Sequence, residues 1–285
     1  MKHALLSAYR CRGPLYYVAA TVLIGYAVVG HHLGGDIAAI ARVAVAVALG
    51  VAVACVALTL IGPRLLPKHQ PRLVLPPVRG RWLALNSPAT KVPSHGVRAY
   101  GQAYAIDLCH DPVDRERPQF GGTALRRSDA YPGFGEPVYA MVDGVVVRVV
   151  AGLRDHRARS NLLGIALMML EGVVREIGGP RFILGNHVVM ETEDGAFAAT
   201  AHLQRQSVTV RVGDRVRAGE MIGRCGNSGN SSEPHVHAQL MDRASPWTGQ
   251  GLPISFAAIR VGDRAESIDG VPANQEHLDT TATPS

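Results

Sequence analysis

Charge is scarce in this chain. Asp, Glu, Lys and Arg make up 18% of the 285 residues, below the roughly 25% usual in a soluble domain. Cysteine is scarce too: four residues exclude a small disulfide-built scaffold. Glycine and proline together number 49 (31 and 18), too few for a low-complexity, collagen-like or mainly disordered chain. Acid is missing from one stretch altogether: residues 63–99 hold seven Arg or Lys and no Asp or Glu. Residues 1–62 carry +3, so the formal +6 leaves −4 for residues 100–285. The basicity is therefore local to the N-terminal third, and no nucleic-acid-binding face is expected.

Hydrophobic residues, by contrast, reach 47%, and two uncharged runs account for much of them. Leu15–Gly30 and Val43–Gly62 are 16 and 20 residues long. A helix needs about 20 apolar residues to cross the hydrocarbon core. The second run meets this. The first is short unless its flanks lie in the interface, where Tyr16 and Tyr17 fit. The pattern predicts a two-helix membrane anchor over 1–62 with a turn around His31–Asp36, a single span being the alternative. Lys2, Arg10 and Arg12 before the first run, and Arg64, Lys68, Arg72, Arg79 and Arg81 after the second, place both flanks in the cytoplasm by the positive-inside rule.

Residues 63–84 read as a basic, proline-rich linker, and the prolines continue to Pro93. Proline has no amide donor and blocks regular helix, so an extended tether is expected. From 85 to 270, short β-branched runs alternate with Gly/Asp turns, as in Tyr104–Leu108, Pro137–Met141, Gly144–Val150, His187–Thr192, Ser207–Val212 and His235–Leu240. This predicts a mostly antiparallel β domain. Ser160–Ile177 interrupts it with apolar residues at helical spacing, which predicts one inserted helix packed on the sheet, or else a membrane-surface or partner-binding helix. Residues 271–285 are polar and read as a disordered tail. Cys109 and Cys225 read as free buried thiols.

Histidine carries the chemical signal. His235 and His237 lie two apart in a strand-like run, so their side chains project from one sheet face. Two imidazoles held side by side suit metal ligation joined to proton transfer. A metal site needs further ligands, and His95 and Asp107 are candidates. Their midpoint is Gly101. A hairpin bending at Tyr100–Gln102 would set the two residues opposite each other on paired strands. His110 and Asp111 are the alternatives, and Pro112 interrupts a strand there.

Six stretches in order complete the pattern: Tyr104–Asp107, Pro137-Val-Tyr-Ala-Met-Val-Asp-Gly144, Gly185-Asn-His-Val-Val-Met190, Ala201-His202-Leu203, Val212-Gly-Asp-Arg-Val-Arg-Ala-Gly219 continuing to Gly223, and Gly226–Gly229 followed by Pro234-His-Val-His237. Together these resemble the lysostaphin-like zinc endopeptidases, the beta-lytic metallopeptidase family of cell-wall hydrolases, over about 85–242. The resemblance implies a Zn²⁺ cofactor held by His95, Asp107 and His237. It implies His202 and His235 as catalytic proton-handling residues, and a peptidoglycan peptide as substrate. It also implies a catalytic domain outside the cytoplasmic membrane, against the charge rule. One departure stands out. Most family members place the first histidine four residues before the aspartate, where this chain has Ala103, so His95 is the best first ligand, with His110 the substitute. The segment 160–177 looks like an insertion.

Overall fold

The computed structural model describes residues 2–280. The chain divides between Lys68 and His69 into two compact units.

The first unit is a pair of helices, α1 (Lys2–Val29) and α2 (Gly35–Ile61), joined through the short turn Gly30–His32. Both are long and apolar enough to cross a membrane. The 16-residue first run is not the limit of α1, because the helix takes in the polar segment before it and reaches 28 residues. At ~1.5 Å per residue that length exceeds a hydrocarbon core of about 30 Å. The outward side chains are apolar, with Ile24, Ile40 and Leu60 at least 65% exposed. Close packing shows at Gly62, where a Cβ would fall 1.9 Å from the Tyr9 ring.

The second unit is built on one large sheet. Its main strands are β1 (Arg72–Val74), β2 (Arg81–Leu85), β3 (Ile106–His110), β4 (Gly144–Val150), β5 (Asn186–Glu191), β6 (Phe197–Leu203), β7 (Arg215–Val216), β8 (Val236–Met241), β9 (Ile254–Val261) and β10 (His277–Asp279). Their spatial order is β1-β9-β10-β2-β3-β8-β6-β5-β4-β7. All neighbours are antiparallel except β1 and β9. One core lies under the sheet, with Trp82, Ile106, Leu108, Leu203, Leu240, Phe256 and Ile259 almost wholly buried. Burying such side chains contributes roughly 1.5–3 kcal/mol each. The domain is mostly β with one helix insert, as the alternation of short apolar runs predicts.

Four expectations change. The proline-rich stretch is open tether only to Pro71, since β1 and β2 lie inside it and join the sheet. Pro76 and Pro77 sit between those strands, where no ladder donor is needed. Ser207–Val212 forms no strand. Thr209 N to Ile222 O ties it across, Ser207 N to Gln204 O and Asp214 N to Arg211 O close turns at its ends, and Val208 and Val210 reach the core from an irregular path. The polar C-terminal stretch is not all tail. Its residues 277–279 are β10, inserted between β9 and β2, with Leu278 fully buried. Positions 281–285 lie outside the described residues. Last, the inserted helix α3 (Leu162–Ile177) forms where its periodicity predicts, capped by the Asn161 side chain on Gly164 N. Its apolar residues, however, do not pack on the sheet. Leu162, Leu170, Val174 and Ile177 are all more than two-thirds exposed.

Candidate metal and proton-transfer site

The site is built on a cross-strand pair. Asp107 of β3 and His237 of β8 are direct partners in the antiparallel ladder, so their side chains share one face. His237 Nδ1 lies 2.8 Å from Asp107 Oδ1. His235 stands just before β8 on the same side, its Nε2 3.5 Å from the same oxygen. Gln239, two residues beyond His237, continues that row.

His95 joins from a loop. No strand carries it, so the hairpin expected around Tyr100–Gln102 does not form as two paired strands. The bend itself is there, with Tyr100 and Gly101 at φ 58° and 76° inside the short turn Ala99–Tyr104. The strand partners of Asp107 are Leu85 and His237 instead. Gly101 has no room for a side chain, since a Cβ would fall 2.6 Å from Met241. The bend folds the loop back, Ser94 N bonds Ala103 O, and His95 Nε2 comes to 3.0 Å from Asp107 Oδ2. One ligand atom from each of His95, Asp107 and His237 lies within 4.8 Å of the others.

His110 is elsewhere. Three residues along a strand reverses the face, so it stacks on Trp82 with ring centroids 4.7 Å apart. Its neighbour Asp111 is engaged by His277 and Arg81.

His202 reaches the site by a different device. Ala201 is the ladder partner of His237, so simple alternation would send the next residue to the far face. The β5–β6 register shifts between Asn186 and Val188, leaving an extra residue on β6. His202 sits in that bulge at φ 60°. A bulge re-aims side chains, and here it brings the His202 ring 4.7 Å from His235 and 5.7 Å from His237.

Hydrogen-bond partners assign the ring nitrogens. Ser94 Oγ donates to the Gln102 carbonyl, so it accepts from His95 Nδ1–H, and His95 Nε2 is left with a lone pair. Gln239 Nε2 donates to the Tyr100 carbonyl. Its Oε1 therefore accepts from His237 Nε2–H at 2.8 Å, and His237 Nδ1 is left with a lone pair. His202 Nδ1–H donates to Ser228 O and His235 Nδ1–H to Glu233 O, so each neutral ring keeps its lone pair on Nε2, that of His235 3.5 Å from Asp107 Oδ1. In their neutral forms, two imidazole lone pairs thus converge on a carboxylate. That arrangement repels itself unless a cation sits between the groups. Two imidazoles and one carboxylate are an ordinary zinc donor set, and three protein ligands leave a fourth position open. The residues fit a zinc ion.

The surroundings are closed to solvent. Asp107, His202, His235 and His237 are each no more than 7% exposed. Burial raises the Asp107 pKa, but His95 and His235 beside it and the histidine hydrogen bonds outweigh that and hold the carboxyl well below its usual range. Burial, with His235 and His237 nearby, keeps His202 well below the usual histidine value. Burial lowers His235 as well, yet the Asp107 charge raises it overall.

Three supporting residues were not singled out from the sequence, although Asn186 lies within the Gly185–Met190 motif. Asn86, at φ 47° after β2, donates to Asp107 Oδ2 at 2.8 Å. Gln239 orients His237. Asn186 fastens the Gly226–Pro234 loop: its side chain accepts from Leu153 N and donates to Leu153 O and Leu203 O, and its backbone N–H donates to Ser228 Oγ. Gly185 before it must be glycine, because a Cβ would fall 2.5 Å from the Ser228 backbone. Only the period-two spacing after His237 could have pointed to Gln239.

Residues 165–248 match the model of Peptidase family M23. The glycyl-glycine endopeptidase ALE-1 of Staphylococcus capitis is 35% identical over 71 residues, 25% of this chain and 19% of that protein. The peptidoglycan DD-endopeptidase ShyA of Vibrio cholerae is 30% identical over 124 residues, 44% of this chain and 22% of that protein. The chain thus spans about one fifth of the length of these curated relatives. Among solved structures, the catalytic domain of lysostaphin from Staphylococcus simulans aligns at 23% identity over 52% of this chain and 74% of that one, with a TM-score of 0.30. Residues 165–248 thus carry a segment of peptidase family M23, and the second unit is similar to lysostaphin-like members of that family.

Proposed function

We propose that this protein is a membrane-anchored zinc endopeptidase that hydrolyses peptide bonds of bacterial peptidoglycan. The observation that carries the reading is the convergence of the His95 Nε2 and His237 Nδ1 lone pairs on Asp107. Those three residues would hold the metal. Zinc, when bound, supplies a Lewis acid that acidifies water and polarises a peptide carbonyl.

The chain's own residues do the rest. His235 takes the proton of the attacking water at Nε2, with Asp107, 3.5 Å away, stabilising its charged form. His202 faces it across the site. Its Nε2 stabilises charge developing on the carbonyl oxygen or passes a proton to the leaving amine. Ser228 O and Glu233 O fix both tautomers from the Gly226–Pro234 loop, and that loop forms a wall for an extended peptide. Peptidoglycan as substrate is supported by the names of the two curated relatives, one a glycyl-glycine and one a peptidoglycan DD-endopeptidase. The two long apolar helices support anchoring, and a cell-wall substrate puts the catalytic unit outside the cytoplasmic membrane.

The test pairs metal content with a cell-wall digestion assay on wild type and on His95→Ala, Asp107→Ala and His110→Ala. About one zinc in wild type and His110→Ala, with loss in the other two and solubilised wall peptides only where zinc is retained, is expected. Full zinc in His95→Ala would overturn the ligand set. Zinc-loaded protein that binds walls but releases nothing would leave a non-catalytic wall-binding member of the fold.

A further inference from the structure

α3 is inverted relative to an ordinary surface helix. Leu162, Leu163, Met169, Leu170, Val174 and Ile177 are between 63% and 79% exposed. The polar residues lie on the opposite side, half-buried and bonded to the β unit. Glu171 accepts from Arg159 and Arg175 at 2.6 and 2.9 Å, Arg175 also reaches Asn230, and Glu176 accepts from Tyr100. At ~100° per residue these six positions span an arc of roughly 140°. No charged residue lies within it. Exposed apolar patches of this kind mark contact sites.

The width of the arc and the charge at its ends select the occupant. A helix partner in a two-stranded contact covers a narrow seam. A lipid surface covers a broad apolar face with both its flanks, and prefers basic residues around it. Exposed Arg154 and Arg157 precede α3, and exposed Arg181 follows it, placed to meet anionic headgroups. Phe120, 63% exposed, is held at the start of α3 by Gly121 N to Ser160 O and by Asn161 Nδ2 to Gly122 O. Its apolar ring extends the hydrophobic surface there.

We propose that α3 docks, apolar face down, on the anionic bilayer that anchors the protein; this rests on the reading of α1 and α2 as membrane spans. The polar face of α3 grips Asn230 of the site loop and Tyr100 beside Gln239, so lipid docking also fixes the wall of the site.

The test uses the full chain in vesicles of phosphatidylcholine and phosphatidylglycerol with brominated acyl chains. Leu170→Trp places a reporter on the exposed face without disturbing a packed residue. Its added emission is expected to shift to shorter wavelength and to be quenched beyond the wild-type signal, with less quenching when phosphatidylglycerol is omitted. Emission like that of Trp in water, unquenched in both vesicles, would overturn the proposal. So would a blue shift without quenching that grows with the protein-to-lipid ratio, which would mean a second copy covers the face. An alkaline carbonate wash separates the two readings. Release of wild type from the vesicles sinks the anchor, whereas a retained chain with unquenched Trp sinks the docking of α3.

Discussion

Gln239 Oε1 accepts the Nε2–H of His237 at 2.8 Å, and this contact decides which nitrogen of His237 faces Asp107. Partners of this kind, behind a metal ligand, typically account for 10–100-fold in affinity or activity. Gln239→Leu is expected to weaken zinc binding by about that factor while Gln239→Glu, which keeps the acceptor, retains it. Competition against a chelator of known affinity reads the effect. Equal affinity in wild type and Gln239→Leu would show that the contact does not orient the ligand.

The two remaining histidines are expected to separate metal content from turnover. His202→Ala and His235→Ala should keep zinc and lose about 10²–10⁴-fold in wall hydrolysis. A zinc-free His202→Ala or His235→Ala would make that histidine a ligand. His202 also offers a backbone test, because its φ of 60° is strained for any residue but glycine. His202→Gly should be more stable than His202→Ala by about 1 kcal/mol, at equal loss of activity. Thermal unfolding of the two variants side by side gives the difference.

His187 makes stability depend on pH. It is buried on β5, and burial pushes its pKa down to about 4, with its bond to Gly185 O opposing. The unfolded chain takes up a proton near pH 6.5 that the folded chain refuses. Its contribution is therefore complete above about pH 6.5 and is lost progressively as pH falls towards 4, by about 3 kcal/mol in total. His187→Asn should flatten the acid side of the stability curve. An unchanged slope between about pH 7 and pH 4.5 would remove His187 as the cause.

The β unit is expected outside the cytoplasmic membrane. If α1 and α2 both cross, the N-terminus lies on the same side, against the charge of Lys2, Arg10 and Arg12. Protease added to intact spheroplasts should then digest the β unit. Protection that persists until the membrane is lysed would place the unit in the cytoplasm, as the flanking charges alone predict.

Much of the molecule was legible in the residues, wherever the information is local. Two uncharged runs mark the apolar centres of α1 and α2, although α1 starts at Lys2 and α2 takes in Asp36 and Arg42. Helical spacing from Leu162 to Ile177 specifies α3. The period of two specifies that His235 and His237 share a face. What a face meets is not local. The same amphipathic period would serve a helix packed on the sheet, and only the polar anchors Arg159, Asn230 and Tyr100 turn the apolar side of α3 outward. The alanines of β6, weak strand formers, become a central strand because β5 and β8 pair on either side. Leu278 becomes core because β9 and β2 leave a place for a strand between them. His95 meets Asp107 through a left-handed bend rather than a strand, and His202 turns towards His237 through a one-residue bulge. Sequence spacing determined which side chains could share a face along one strand; pairing register, bulges and loop closure between distant segments decided which of them meet.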